Sequence, residues 1–425
     1  MACRIARWVA LVAAALAVGC GGSSGNSSET TSHDGGSPDG TTSCGGSNEP
    51  CCNGTPCNAG RMCSGGSCTA SVPADAKADS AGDDVAVADA PSGPEASDGH
   101  ASIPPSCQTG GAGLTTCGAN SESCCASPEV AGGTYYRTYD PLGSGGEVTL
   151  APDGGPTGEA DPASVSGFRL DKYLVTVGRF RQFVTAWNGG AGYTPPAGSG
   201  KHAHLYGGQG LVNVGGDAGV VYEPGWVTSD NSHIAPTNAN LTTACNSAYA
   251  TWTTSAGSQE NLPINCVNWY ESYAFCIWDG GFLPSEAEWE YAAAGGSQQR
   301  EYPWGSASPG TGNQYAIYGA YYPNGSGVLE SVMNIAPVGT ATPGAGLWGQ
   351  LDLAGEMWEW NMDLYAPYVD PCVDCANLTA ASYRVFRGGD FATLMSTSVV
   401  LPSYRFAGTS IPRSLSVGFR CARTP

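Results

Sequence analysis

Residues 261–296 read NLPINCVNWYESYAFCIWDGGFLPSEAEWEYAAAGG and encode two short helices joined by a tight turn. Asn268 is placed to cap the first helix, and Glu271, three residues on, can return the bond, a variant of the capping box. Tyr270, Tyr273, Ala274 and Ile277 then fall on one helical face. Gly280 and Gly281 stop this helix; Ser285 with Glu288 repeats the box, and Gly295 and Gly296 end the second helix. Both helices are specified by residues within a few positions of themselves.

Upstream, the chain declares a destination. Arg4 and Arg7 precede an apolar run over residues 8–18, the pattern of a secretory signal, and Leu16-Ala17-Val18-Gly19-Cys20 resembles a bacterial lipobox with Ala17 where leucine is usual. Residues 1–19 are therefore expected to be the signal peptide of a lipoprotein, with an ordinary cleaved signal peptide as the alternative. Cys20 is expected to be lipidated, which makes the membrane a partner through the anchor and places the chain in the bacterial cell envelope. No later stretch approaches the ~20 apolar residues of a spanning helix.

Setting aside Cys3 and Cys20 leaves an even number of cysteines, as an oxidising compartment favours. Six of them (Cys44, Cys51, Cys52, Cys57, Cys63, Cys68) lie among Gly, Asn and Pro, too densely for an apolar core, and residues 44–68 read as a disulfide mini-domain, with zinc binding as the alternative. Residues 20–43 are a Ser/Gly/Thr tether, and residues 69–106 an acidic Ala/Asp/Pro linker in which Asp75, Asp79, Asp83, Asp84, Asp89, Glu95 and Asp98 face Lys77 alone. A formal charge of -20 leaves no basic stripe for nucleic acid, which excludes that class of partner.

The globular part, residues 107–425, carries abundant Gly and Pro and short periodic stretches, and so reads as an irregular mixed α+β domain. Thr176 caps a helix with Phe180, Phe183, Val184 and Trp187 on its apolar face, ended by Asn188-Gly189-Gly190. Residues 132–137 and 167–173 read as strands with half-buried aromatics.

The motif VNWYESYAFCIWDGGFLPSEAEWEYAAAGG resembles the central signature of the formylglycine-generating enzyme, or sulfatase-modifying factor, family. Four further blocks follow the family order: FRLDKYLVTVGRFRQFV, with Leu174 where glutamate is usual; Tyr302-Pro303-Trp304-Gly305; residues 349–360, GQLDLAGEMWEW; and Arg387-Gly388-Gly389 with the closing Gly418-Phe419-Arg420-Cys421-Ala422. The resemblance implies a single C-type-lectin-like domain of low regular structure.

It also implies a chemistry that this chain departs from. Family enzymes convert a cysteine of a target sulfatase to formylglycine with oxygen, using Cu(I) held by two cysteines shortly after the RGG block. Here Thr393 and Ser398 occupy those places, and Asp390 stands where the enzymes carry an active-site serine. Thiolates are soft ligands that select Cu(I), whereas hydroxyls stay protonated and are hard donors, so copper is not expected. The resemblance further implies a disulfide between Cys276 and Cys421, and the loss of a second one at Ala293 and Phe406. It implies structural calcium near the GEMWEW block, where Glu356 replaces an asparagine and Glu359 is retained; a hard cation accepts either oxygen donor.

Other constellations carry less. His202, His204 and His233 lack the spacings of the family's iron-dependent relatives and read as surface residues of a Gly-rich loop. Glu286 and Glu290 share a helical face near an N-terminus, which the helix dipole accounts for. Cys372-Val373-Asp374-Cys375 has redox-motif spacing without a strand–helix context, which favours a structural loop disulfide. Trp358, Trp360, Tyr365 and Tyr368 read as core, or as walls of any ligand cleft. Two functions are expected to compete: an anchored, non-oxidising module that binds a protein or peptide in a lectin-like cleft, and a formylglycine-generating oxidase with relocated ligands. A third, an iron-dependent sulfur oxidase, lacks its histidine triad.

Overall fold

The computed structural model describes residues 61–64, 67–70, 103–139, 160–213, 220–368, 370, 372–379, 381–393 and 397–425, the first two stretches as backbone only. The chain falls into two compact units, Met1–Ala96 and Ser97–Pro425. The signal segment, Cys20, the tether, linker residues 71–102, and Cys44, Cys51, Cys52 and Cys57 lie outside the described residues. In the first unit β1 (Arg61–Ser64) pairs antiparallel with β2 (Ser67–Ala70), Cys63 opposite Cys68.

In the second unit the elements are, in order, β3 (Glu129–Val130), β4 (Gly133–Thr138), β5 (Ala160–Val165), β6 (Phe168–Leu170), α1 (Val177–Trp187), β7 (Val212–Asn213), β8 (Val221–Tyr222), α2 (Asn238–Leu241), α3 (Trp269–Trp278), α4 (Glu286–Ala294), β9 (Trp358–Leu364), β10 (Cys372–Val373), β11 (Cys375–Ala376), β12 (Tyr383–Arg387), β13 (Arg405–Thr409), β14 (Val417–Gly418) and β15 (Ala422–Arg423), with short 3-10 turns between. This is a mixed helix-and-sheet fold with few helices. Among the described residues no helix is long and apolar enough to cross a membrane.

Local signals account for the helices. Both boxes close: Asn268 with Glu271 on α3, and Ser285 with Glu288 on α4, which ends at Gly295 in the left-handed region. Thr176 accepts from the Arg179 N–H and starts α1, and Asn188 at φ 48° ends it. The single apolar face expected of the first helix understates what is found, because α3 and α4 are buried nearly all round.

The largest sheet, β13-β12-β9-β14, centres on the strand of the GEMWEW block. Its register sets Arg387 opposite both Glu359 and Arg405. The sheet β15-β6-β3 folds the last residues onto the opening FRL strand, Ala422 opposite Leu170. Two further three-stranded sheets, β10-β5-β4 and β11-β7-β8, meet at the turn between Cys372 and Cys375. The main core packs Phe180 and Phe183 of α1 against Phe275 of α3 and Phe419, with centroids 5.4–6.3 Å apart in stacked, edge-on and tilted pairs.

All ten cysteines from Cys107 onward are paired: Cys107–Cys125, Cys117–Cys124, Cys245–Cys266, Cys276–Cys421 and Cys372–Cys375. At the positions of the absent second family disulfide, Ala293 is buried in one apolar cluster and Phe406 stacks on Trp358 beside another.

Candidate functional site

The segment that follows β12 carries Asp390, Thr393 and Ser398, the positions the resemblance singles out. Gly389 adopts φ 78°, and a Cβ there would meet the Val399 carbonyl oxygen at 2.8 Å, so the turn requires glycine and its close approach to the 397–400 turn. Beyond it Asp390 is buried and accepts from the Thr393 N–H at 2.8 Å and from the Thr393 hydroxyl. Burial pushes the Asp390 carboxyl above its usual range, against these hydrogen bonds. Thr393 thus spends its hydroxyl on Asp390, while Ser398 lies half-buried in the 397–400 turn. Neither position supplies a sulfur.

A wall of aromatics adjoins this turn. Tyr302 lies near Thr397, and Trp304 stacks between Tyr302 and Tyr315 at 5.0 and 5.3 Å. Tyr302 and Trp304 come from the YPWG block, which is legible as a landmark but not as a wall, and Tyr315 lies outside it. Trp358 and Trp360, by contrast, are buried in the main core, because both faces of β9 are covered. Tyr365 is partly exposed, and Tyr368 lines a small cavity of about 10 Å³ with Arg137, Glu286, Asp363, Cys375 and Arg405.

Behind the RGG turn lies a buried charged cluster. Arg387 donates to Glu286 at 2.9 Å from Nε, to Glu290 at 2.9 Å, to the Pro402 carbonyl at 3.0 Å and to the Tyr368 hydroxyl. Arg405 binds the same Glu286 through Nε and Nη2 at 2.8 and 2.6 Å. The helix-dipole account of Glu286 and Glu290 is therefore corrected: two arginines, more than a hundred residues away for Glu286, fix them. Burial, with Glu286 beside it and Arg387 opposing, pushes the Glu290 carboxyl up to about 8. A raised carboxyl stabilises the fold fully below the unfolded value near 4.5, and that contribution is lost as pH rises through about 8. Urea unfolding of wild type should lose about 3 kcal/mol more than Glu290→Gln between pH 5 and pH 8. Parallel pH profiles for the two proteins would refute the assignment.

The histidines also need correction. His202 is fully buried, not a surface residue: Nδ1 lies 2.9 Å from Glu223 and Nε2 2.9 Å from Glu288 of the α4 capping box. Burial opposes its charge, but Glu288 and Glu223 outweigh that and hold the ring up to about 10, an imidazolium clamp between the Gly-rich loop and α4. Both ring nitrogens are engaged, so neither offers a lone pair to a metal. His204 is half-buried and stacks on Phe282; His233 stacks on Tyr270. Among the described residues no three His, Cys, Asp or Glu side chains are grouped to hold a metal ion.

The calcium candidates part company. Glu359 spends both oxygens on Arg420, at 2.6 and 2.8 Å. Glu356 accepts from the Ala336 N–H at 2.9 Å, while its Oε2 is buried without a partner, and burial together with neighbouring Asp352 pushes its carboxyl well up. An orphaned buried carboxylate oxygen suits a hard cation; a bidentate arginine pair does not.

The sequence profile of the sulfatase-modifying factor enzyme 1-like domain matches residues 122–425. The formylglycine-generating enzyme of Streptomyces coelicolor is 31% identical over 273 residues, 60% of this chain and 77% of that one. The inactive C-alpha-formylglycine-generating enzyme 2 of Mus musculus is 31% identical over 38% of this chain and 49% of its own length. The hercynine oxygenase of Mycolicibacterium thermoresistibile is 31% identical over 38% of this chain and 35% of its own. The matched part thus spans about half or less of the last two relatives, and the three names cover active, inactive and differently acting proteins. What they share with residues 122–425 is the domain itself, and the chain belongs to the sulfatase-modifying factor enzyme 1-like family.

Proposed function

We propose that this chain is an exported, lipid-anchored member of the family whose lectin-like domain binds a protein or peptide and does not oxidise it. The observation that carries the reading is the engagement of Thr393 with buried Asp390, at the positions where the family's chemistry uses a thiolate and a serine. A hydroxyl committed to a neighbouring carboxyl is neither a Cu(I) ligand nor an electron donor. The partly exposed Trp304 and Tyr315 beside the 397–400 turn supply apolar contact area for a bound chain. Incubating the mature protein with a sulfatase-derived cysteine peptide, oxygen and Cu(I) should yield no formylglycine by mass spectrometry. Chelator-sensitive conversion would establish the alternative, an oxidase with relocated ligands. The same instrument reads the anchor: an acylated Cys20 is expected at the mature N-terminus, and an unmodified terminus elsewhere sinks that part.

Calcium is the cofactor the domain would take. Glu356, through its orphaned Oε2 beside Asp352, is the carboxylate suited to hold it, and Glu359 would have to give up Arg420 to join. When bound, the cation supplies positive charge to a buried acidic pair and no redox chemistry. Calcium should raise the thermal midpoint and EGTA lower it by several degrees; an unchanged midpoint at millimolar calcium rejects the site.

A further inference from the structure

We propose that the Cys372–Cys375 bond is redox-active, accepting two electrons from a dithiol and returning them to a disulfide, with Cys375 as the sulfur that leaves as thiolate. The inference is independent of the binding role above. Three observations carry it.

The first is loop length. Cys372 and Cys375 are three residues apart, against separations of 7, 18, 21 and 145 for the other four bonds. Closing so short a loop restricts the unfolded chain least, so this bond gains least from that constraint.

The second is charge. Cys375 lines the small cavity together with Arg137 and Arg405, whose guanidinium groups both lie over the Tyr368 ring, at 4.3 and 4.2 Å from its centroid. Positive charge beside a sulfur favours its thiolate and makes it the better leaving group. Two carboxyls line the same cavity, Glu286 and Asp363. Glu286 is shared between Arg387 and Arg405, and burial holds Asp363 up to about 7, so below that pH Asp363 adds little negative charge to the cavity. Asp370 pairs with Arg137 at 2.7 Å.

The third is position. The bond fastens the turn at which two sheets meet, β10 lying parallel to β5 and β11 parallel to β7. Within the turn Asp374 sits at φ 42°, a left-handed conformation that costs a non-glycine residue, and Ser166 holds its carboxylate through N–H and hydroxyl at 2.6 and 2.7 Å. Both sulfurs are buried, but Val373 between them is half exposed, and β10 is held to β5 by a two-residue pairing. Local opening of that pairing admits the reductant.

In the exchange, one thiolate of the dithiol attacks Cys372 Sγ. A mixed disulfide forms, the Cys372–Cys375 bond breaks, and the electron pair leaves on Cys375 in the cavity it shares with Arg137 and Arg405. The second thiol of the dithiol then attacks its partner sulfur, expelling Cys372 as a thiolate that takes up a proton. The dithiol is oxidised to a disulfide and the two cysteines are reduced.

The test poises the full mature chain in graded mixtures of reduced and oxidised dithiothreitol at pH 6.5, where Asp363 is largely protonated, traps thiols by alkylation and maps them by peptide mass spectrometry. Cys372–Cys375 is expected to open at a reduced-to-oxidised ratio at least tenfold below that of any other bond in the domain, with near-UV circular dichroism retained, and to re-form on oxidation. Arg137→Gln should slow its opening several-fold while the other four bonds stay closed. Opening together with the other bonds, or only as the dichroism signal collapses, would overturn the proposal. An opening rate unchanged in a folded Arg137→Gln protein would overturn the role given to Cys375.

Discussion

Replacing both Cys276 and Cys421 with alanine should lower the stability of the domain by about 4–5 kcal/mol, because the bond closes a loop spanning 145 residues and removes the corresponding freedom from the unfolded chain. The bond ties α3, the first half of the central helical pair, to the GFRCA segment, and Phe275 and Phe419 next to its two ends pack edge-on at 5.4 Å. Its loss should therefore loosen contacts that α1 and α3 share, as well as lengthening the unfolded chain. Urea unfolding of the double variant against wild type measures the change. An unmoved midpoint would mean that the neighbouring β15–β6 pairing alone holds the chain end.

A comparably large effect is expected at Arg179, which is fully buried. It donates to Asp171 at 2.8 Å, to Asp279 at 2.7 Å, to the Cys124 carbonyl at 3.1 Å and to the Ser106 hydroxyl at 3.0 Å. One guanidinium thereby joins the disulfide-stapled segment before β3, the opening strand and the end of α3. Arg179→Met keeps the volume but leaves two buried carboxylates with Arg423 as their remaining cation, and should cost about 3–5 kcal/mol. Arg179→Lys should recover only part of this, since a point charge cannot reach four acceptors in fixed directions. A loss below about 1 kcal/mol for the methionine variant would show that Arg423 carries the pair of acids alone.

Legibility in the sequence followed the range of the interactions. Capping boxes act over three residues, so the starts of α1, α3 and α4 could be read directly from Thr176, Asn268 and Ser285. The burial of His202 could not be, because its two carboxylates come from 21 and 86 residues away and the loop that carries it is rich in glycine. Glu286 misled for the same reason: a helix N-terminus explains an acid well enough until Arg387 and Arg405 arrive from distant strands. Trp358 and Trp360 were open to either a core or a cleft reading, and only the tertiary packing, which buries both faces of β9, decides for the core. The aromatic wall of Tyr302, Trp304 and Tyr315 was hidden by sequence distance, since its third ring lies eleven residues beyond the motif's Trp304.

The central claim is that a family domain persists here without the family's copper thiolates, and anaerobic Cu(I) titration of the mature chain against a competing chelator tests it most directly. With its disulfides intact, the wild-type protein should compete for no Cu(I). A variant carrying both Thr393→Cys and Ser398→Cys should gain stoichiometric binding, and either single change should not. One equivalent of tightly bound Cu(I) on the unmodified, fully oxidised protein would contradict the account.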